Sequence, residues 1–299
     1  MKKNIIETEE DYIGAFTEEL LLDIENIKEE FAIAHPLLRK VDISNHVHKI
    51  GDGAFGMCPN LQEVIIRSND IEIGDNAFSF CSSLEKVEIV DGIETIPHSC
   101  FNACTSLKEI KIPKTVKKIG RFAFANCINL ESIDLSETDI EYIDEYAFSG
   151  CINLKSVKFP MAKEYNREEI LIDISCFNSC VNLEHIDLGN CIKGIPEFMF
   201  AFCKNLKEIV LPDETYDICD ASFMDCKSLE KIIIPCTIDT ICEHAFDGCD
   251  NLQEIIILNT TVEIDENAFN DDVVFSKQLI EVDDGVQEEI LVYRKDTTE

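Results

Sequence analysis

The sequence predicts a repeat solenoid, and three observations carry that expectation. A phenylalanine returns ten times between Phe55 and Phe269, at intervals of 23 residues interrupted once by 24 and once by 29. A cysteine stands three residues after each of the first nine anchors and a leucine three further on, as in Cys58 and Leu61 or Cys226 and Leu229. Aliphatic residues then follow at spacings of three and two, as in Val64 and Ile66 or Ile110 and Ile112.

The anchors are Phe55, Phe78, Phe101, Phe124, Phe148, Phe177, Phe200, Phe223, Phe246 and Phe269. The closing aliphatic pair alternates with period two, the pattern of a short strand with one buried face. An isoleucine five residues before each anchor, from Ile50 to Ile264, marks a second short extended segment. One such unit cannot enclose its own apolar face, so neighbours must stack and bury Phe, Cys, Leu and Ile in continuous columns. At about 4.8 Å between strands, ten coils make a curved rod roughly 45 Å long.

The unit of Ile, Ala-Phe, Cys, Leu and aliphatics is often closed by proline, as in Ile112-Pro113, Leu211-Pro212 and Ile234-Pro235. Over roughly residues 46 to 270 it resembles the BspA-like class of leucine-rich repeats. That resemblance implies recognition rather than catalysis, because such proteins are commonly surface adhesins or other proteins of host-associated microbes and protists. The expected architecture is a leucine-rich-repeat-like right-handed coil with short parallel strands, a helical N-terminal cap and a β-hairpin C-terminal cap.

In chain order, residues 1–45 are expected to form the cap. Ile13, Phe16, Leu20, Ile24, Ile27 and Phe31 recur at three and four residues and share one helical stripe. Thr8 with Asp11 would start this helix and Pro36 would stop it, placing it over residues 8–34. Residues 46–270 form about ten coils, with a six-residue insertion around Met161 to Glu169 that should bulge out as a loop. Residues 271–299 lose the Cys and Leu positions. There Val273 to Val282 and Val286 to Tyr293 flank Asp283-Asp284-Gly285, a turn cluster expected to close a terminal hairpin before a frayed tail beyond Arg294.

Each remaining repeat position becomes a row across the surface. Glu85, Lys108, Glu131, Lys155, Glu184, Lys207 and Glu230 alternate in sign, and Glu63, Lys86 and Glu109 do so with opposite phase. Opposite charges on adjacent strands contribute roughly 0.2–1 kcal/mol per pair, so these rows are expected to set register. The row between the two aliphatics should point outward along the concave sheet. Its middle is charged, with Lys111, Asp134, Lys158 and Asp187, and its C-terminal third is aliphatic, with Val210, Ile233, Ile256 and, in extension, Leu258. These eight residues are the candidate partner-binding surface. A contiguous exposed apolar strip of this kind marks an interface, to a protein partner or to a second copy as a homodimer.

Chemistry is not visible in the chain. The cysteines recur once per repeat, not in the paired short spacings of structural zinc, and a small apolar core filler is the expected role. Cys100 and Cys176 replace the alanine before the anchor in the same small-residue role, while Cys191, Cys219, Cys236 and Cys242 fall outside these columns. His46 and His48 offer two imidazoles without a third ligand. No phosphate loop, zinc-protease helix or nucleophile elbow is present. The reading is therefore no enzyme, no cofactor and no metal.

With 26 basic and 59 acidic residues the net charge is −33, which disfavours nucleic acid and anionic membrane as partners. No export signal and no run of 18 apolar residues is seen, so a cytoplasmic location with reduced thiols is expected. The leading function is a noncatalytic protein-recognition scaffold. The alternatives are a surface or secreted adhesin exported by a nonclassical route, and an enzyme with an unrecognised site.

Overall fold

A computed structural model describes residues 4–6, 18–161, 169–270, 273–283 and 286–294. Most coils carry two short strands, and stacking joins these into two rows of parallel strands. The longer strands fall where aliphatics alternate. Asn4–Ile6, Glu19–Leu22, Lys40–Ile43, Glu63–Ile66 and Lys86–Ile89 form one sheet; Ser132–Asp134, Ser156–Lys158 and His185–Asp187 form a second. The third contains Glu208–Val210, Lys231–Ile234 and Glu254–Ile257 and ends in the C-terminal hairpin. The other row consists of two-residue strands ending on the recurrent isoleucine, from Asn26–Ile27 to Glu263–Ile264.

Register keeps the repeat phase. Val41 faces Val64 and Val64 faces Val87, while Ile43 faces Ile66. Ion pairs reinforce it, because Glu63 lies between Lys40 and Lys86 on its two neighbouring strands and bonds both. At the far end Glu254 is held in the same way by Lys231 and Arg294.

The interior is built of columns. The anchors from Phe55 to Phe246 are fully buried and Phe269 packs partly buried against them. Successive rings stack at centroid separations of 4.8–6.0 Å with planes within 24° of parallel. At these distances the rings are offset, the arrangement their quadrupoles favour.

The turn that carries each anchor is itself a ladder. Residues two before and two after the anchor take left-handed backbone angles, from Glu30 and Ala34 through Asn76 and Phe80 to His244 and Gly248. That alternation aims the amides before, at and after the anchor toward the next coil. Gly53, Phe55 and Met57 donate to the carbonyls of Asp75, Ala77 and Ser79 at 2.7–2.8 Å. Left-handed angles cost a non-glycine residue roughly 1–2 kcal/mol, a cost offset here by satisfying buried backbone groups that would otherwise lack partners.

The cysteine column adds a bond that spacing did not reveal. Each thiol from Cys58 to Cys249 donates to the carbonyl of the preceding coil's anchor position at 3.1–3.3 Å. Cysteine therefore supplies both a small apolar volume and a weak donor between coils.

The helical N-terminal cap does not form. No helix occurs among the described residues. Glu19–Leu22 is a strand paired with Lys40–Ile43, and Asn26–Ile27 pairs with Lys49–Ile50. Residues 26–43 follow the repeat, with Ala32 in the anchor position, His35 in the cysteine position and Leu38 in the leucine position, all buried. The His35 ring nitrogen Nδ1 accepts from the Leu37 and Leu38 amides at 3.3 and 3.1 Å, and burial holds the imidazole below its ordinary range. Leu20, Ile24 and Ile27 satisfy a helical stripe, but Leu20, Leu22 and Ile24 also alternate, and the open edge of Lys40–Ile43 selects the strand. Thr8, Asp11, Ile13 and Phe16 lie outside the described residues.

At the other end Ser276–Asp283 and Val286–Arg294 form the expected antiparallel hairpin, and the second of these strands pairs antiparallel with Glu254–Ile257. Phe275 meets Phe269 edge-on at 5.4 Å and Tyr293 is buried against the core, so the hairpin covers the last coil. The insertion falls mostly on residues 162–168 and the tail on 295–299, both outside the described residues.

Candidate interaction surface

Strand pairing brings the outward row together as the repeat phase demands. Val210 faces Ile233, Ile233 faces Ile256 and Ile256 faces Val292 of the hairpin, so four aliphatics share one line across four strands. Exposure falls along that line, from 81% at Val210 to 46% at Ile233, with Ile256 half-buried beside the hairpin. Leu258 lies just past the end of Glu254–Ile257 and is also half-buried, its amide donating to the Ile234 carbonyl at 3.0 Å. The hairpin thus shields the C-terminal end of the strip and leaves Val210 and Ile233 as its open part.

In the middle sheet Asp134, Lys158 and Asp187 are directly paired and all exposed. With Ser132, Ser156 and His185 they line a shallow groove of about 430 Å³. Hydrogen bonds from Ser136 hold the Asp134 carboxyl below the usual range, and the Lys158 charge adds to this. Lys111 is exposed but stands apart, because residues 109–112 join no strand. It lines a larger cleft of about 670 Å³ together with Asp134, Glu88 and Glu109. That cleft has no sequence signal, since Glu109-Ile110-Lys111-Ile112 reads like its neighbours. Ile65, in the same outward row, is buried, and its strand partner Asp42 receives a two-pronged bond from Arg67 at 2.7 and 3.0 Å.

Among the described residues no group of three or more His, Cys, Asp and Glu side chains is arranged to hold a metal ion. His46 pairs with Asp23 at 2.9 Å and His48 with the Asp70 carbonyl at 3.1 Å, so the two imidazoles serve separate contacts. Of the cysteines outside the columns, Cys191 is buried, Cys219 and Cys242 are half-exposed and Cys236 is exposed. Among the described residues no helix is long and apolar enough to cross a membrane.

The sequence matches the BspA type leucine rich repeat region in six copies, over residues 25–155, 118–213 and 170–283. No curated protein matches it. Among solved structures, a leucine-rich repeat protein from Bacteroides ovatus is similar at 23% identity, covering 81% of this chain and 77% of that one with a TM-score of 0.51. A leucine rich cell surface protein from Faecalibacterium prausnitzii shares 22% identity over 86% of this chain and 83% of that one, with a TM-score of 0.46. The pneumococcal vaccine antigen PcpA shares 20% over 89% and 70%, with a TM-score of 0.49. The first of these supports the fold.

Proposed function

We propose a function on one premise: this chain belongs to the BspA type leucine rich repeat family. The protein is a noncatalytic protein-recognition scaffold, and its contact surface is the outward face of the longer-strand sheets. The observation that carries this reading is the aliphatic line of Val210, Ile233 and Ile256, held in register and open to solvent at its N-terminal end. An exposed apolar strip in a chain of net charge −33 is disfavoured unless something covers it, and a protein partner or a second copy does so without any catalytic group.

The middle of the row extends the surface with polar groups. Asp134, Lys158, Asp187 and Lys111 discriminate between partners by charge, while the strip supplies apolar burial. The test replaces Val210 and Ile233 by lysine and leaves the half-buried Ile256 untouched. Self-association in sedimentation velocity, or capture of the binding partner, should be lost while the thermal melt stays within a few degrees of wild type. Unchanged association and capture would remove the strip from the interface. Cytoplasmic placement is part of the same proposal: cell fractionation with thiol-state analysis should find reduced protein inside, and oxidised protein at the surface would favour the adhesin reading.

A further inference from the structure

The longer-strand row is continuous from Asn4–Ile6 to Lys86–Ile89 and resumes only at Ser132–Asp134. Between them residues 109–112 keep the repeat phase but join no strand. In the preceding coil the Lys86 and Val90 amides donate to the Gln62 and Ile66 carbonyls at 3.1 and 3.2 Å. The amides of residues 108–112 make no such backbone bond among the described residues. At the same place Val87 and Ile110 are 7% and 8% exposed, whereas Val64 and Ile66 in the adjoining closed ladder are at 0%.

The 670 Å³ cleft opens over this break. Its floor includes Val87, Ile110 and Ile112, and its walls carry five carboxylates, Glu85, Glu88, Glu109, Asp134 and Glu137, against three lysines. One of those lysines, Lys86, is already held between Glu63 and Glu88. Consecutive amides without backbone acceptors, beside an apolar floor, offer an edge that a bound strand can pair with while covering the floor.

We propose that this cleft binds an extended basic segment of a partner protein by strand addition. The segment's backbone bonds the open amides of residues 108–112, while the Lys108 carbonyl keeps its bond from the Glu131 amide at 2.9 Å. Its alternate apolar side chains rest on Val87, Ile110 and Ile112, and its lysines or arginines lie among the five carboxylates. Complementary charge selects a basic segment over an acidic one, in a chain whose net charge is already −33. This inference rests on the recognition-scaffold reading but uses a different part of the face from the aliphatic strip.

The test uses the full chain and an acetylated, amidated heptapeptide of alternating lysine and valine as the probe. Three comparisons separate strand addition from loose charge attraction: the same peptide with glutamate for lysine, the same peptide N-methylated at alternate residues, and the variant Glu88→Lys/Glu109→Lys. Fluorescence anisotropy should show binding of the lysine peptide, weakened at least tenfold by N-methylation and at least tenfold by the double variant, with none for the glutamate peptide. Hydrogen exchange should be fast at amides 108–112 in the free chain and slowed there by the peptide. Equal binding of the N-methylated peptide, wild-type affinity in the double variant, protection confined to other coils, or absence of binding would each overturn the proposal. The Val210→Lys/Ile233→Lys variant should bind the peptide as wild type does. Loss of association in that variant with peptide binding intact leaves the cleft standing alone, and the reverse leaves the strip.

Discussion

Raising the pH under reducing conditions should unfold this protein abruptly, because its interior is lined with thiols that must stay protonated. Burial pushes nine of them above their ordinary range: Cys100, Cys104, Cys127, Cys151, Cys176, Cys180, Cys203, Cys226 and Cys249, with Cys127 and Cys249 raised to about 12. An unfolded thiol ionises near about 8.5, so the unfolded chain releases protons that the folded chain keeps. Stability is complete below that pH, falls as the pH rises past it, and goes on falling toward the raised folded values, about 12 for Cys127 and Cys249. Each thiol removes about 1.4 kcal/mol per pH unit once the unfolded form is ionised. Nine together remove about 8 kcal/mol by about pH 9 and about 13 kcal/mol by about pH 9.5, comparable with the roughly 5–15 kcal/mol that holds a typical domain. The far-UV circular dichroism of the reduced protein should therefore collapse cooperatively between about pH 9 and 10. In urea titrations, replacing Cys104 and Cys151 by alanine should lower the slope of stability against pH by about 3 kcal/mol per unit. A folded spectrum at about pH 10.5 with thiolate absorbance near 240 nm would refute the reasoning, since the thiols would then be ionising in place.

Removing the Phe148 ring should cost about 3–5 kcal/mol in urea denaturation, toward the upper end because it leaves a cavity between Phe124 and Phe177, stacked on it at 5.3 and 5.4 Å. A melt matching wild type would contradict the stacked interior. Glu63→Gln should lose about 0.4–2 kcal/mol for its two cross-strand pairs. The bond from Lys40 and then that from Lys86 hold this carboxyl below its ordinary range, so its contribution is present at neutral pH and is lost as the pH falls below about 4.5 through the lower folded value. A Glu63→Gln penalty that stays the same at pH 7 and pH 3 would count against the pairing. In native buffer a thiol reagent should modify the exposed Cys236 first, then the half-exposed Cys219 and Cys242, and reach the buried column only on unfolding. Equal labelling rates across the cysteines would contradict the interior column.

How much was legible depends on whether a property belongs to one coil or to its neighbours. The interior columns were readable because every coil must place the same residue type at the same position to continue a stack. The C-terminal hairpin was readable from two strand patterns around a turn cluster. The N-terminal coil was not, because Ala32 and His35 occupy the places where phenylalanine and cysteine mark every later coil up to Phe246 and Cys249. The left-handed positions were hidden for a similar reason: Gly53, Gly150 and Gly248 announce them, but Phe122, Tyr146 and Phe198 do not.

The candidate surface divides along the same line. Periodicity alone put Val210, Ile233 and Ile256 on one outward row and Asp134, Lys158 and Asp187 on its continuation, since a strand's side-chain period of two leaves no other face for them. Tertiary structure alone decided that the hairpin shields Ile256, that Ile65 in the same row is buried, and that Lys111 borders a cleft instead of standing in a ladder. The physical reason is that period determines which way a side chain points, whereas exposure and pairing depend on the neighbouring coil, and at residues 109–112 nearly the same local pattern as Lys86–Ile89 meets its neighbours without closing the ladder.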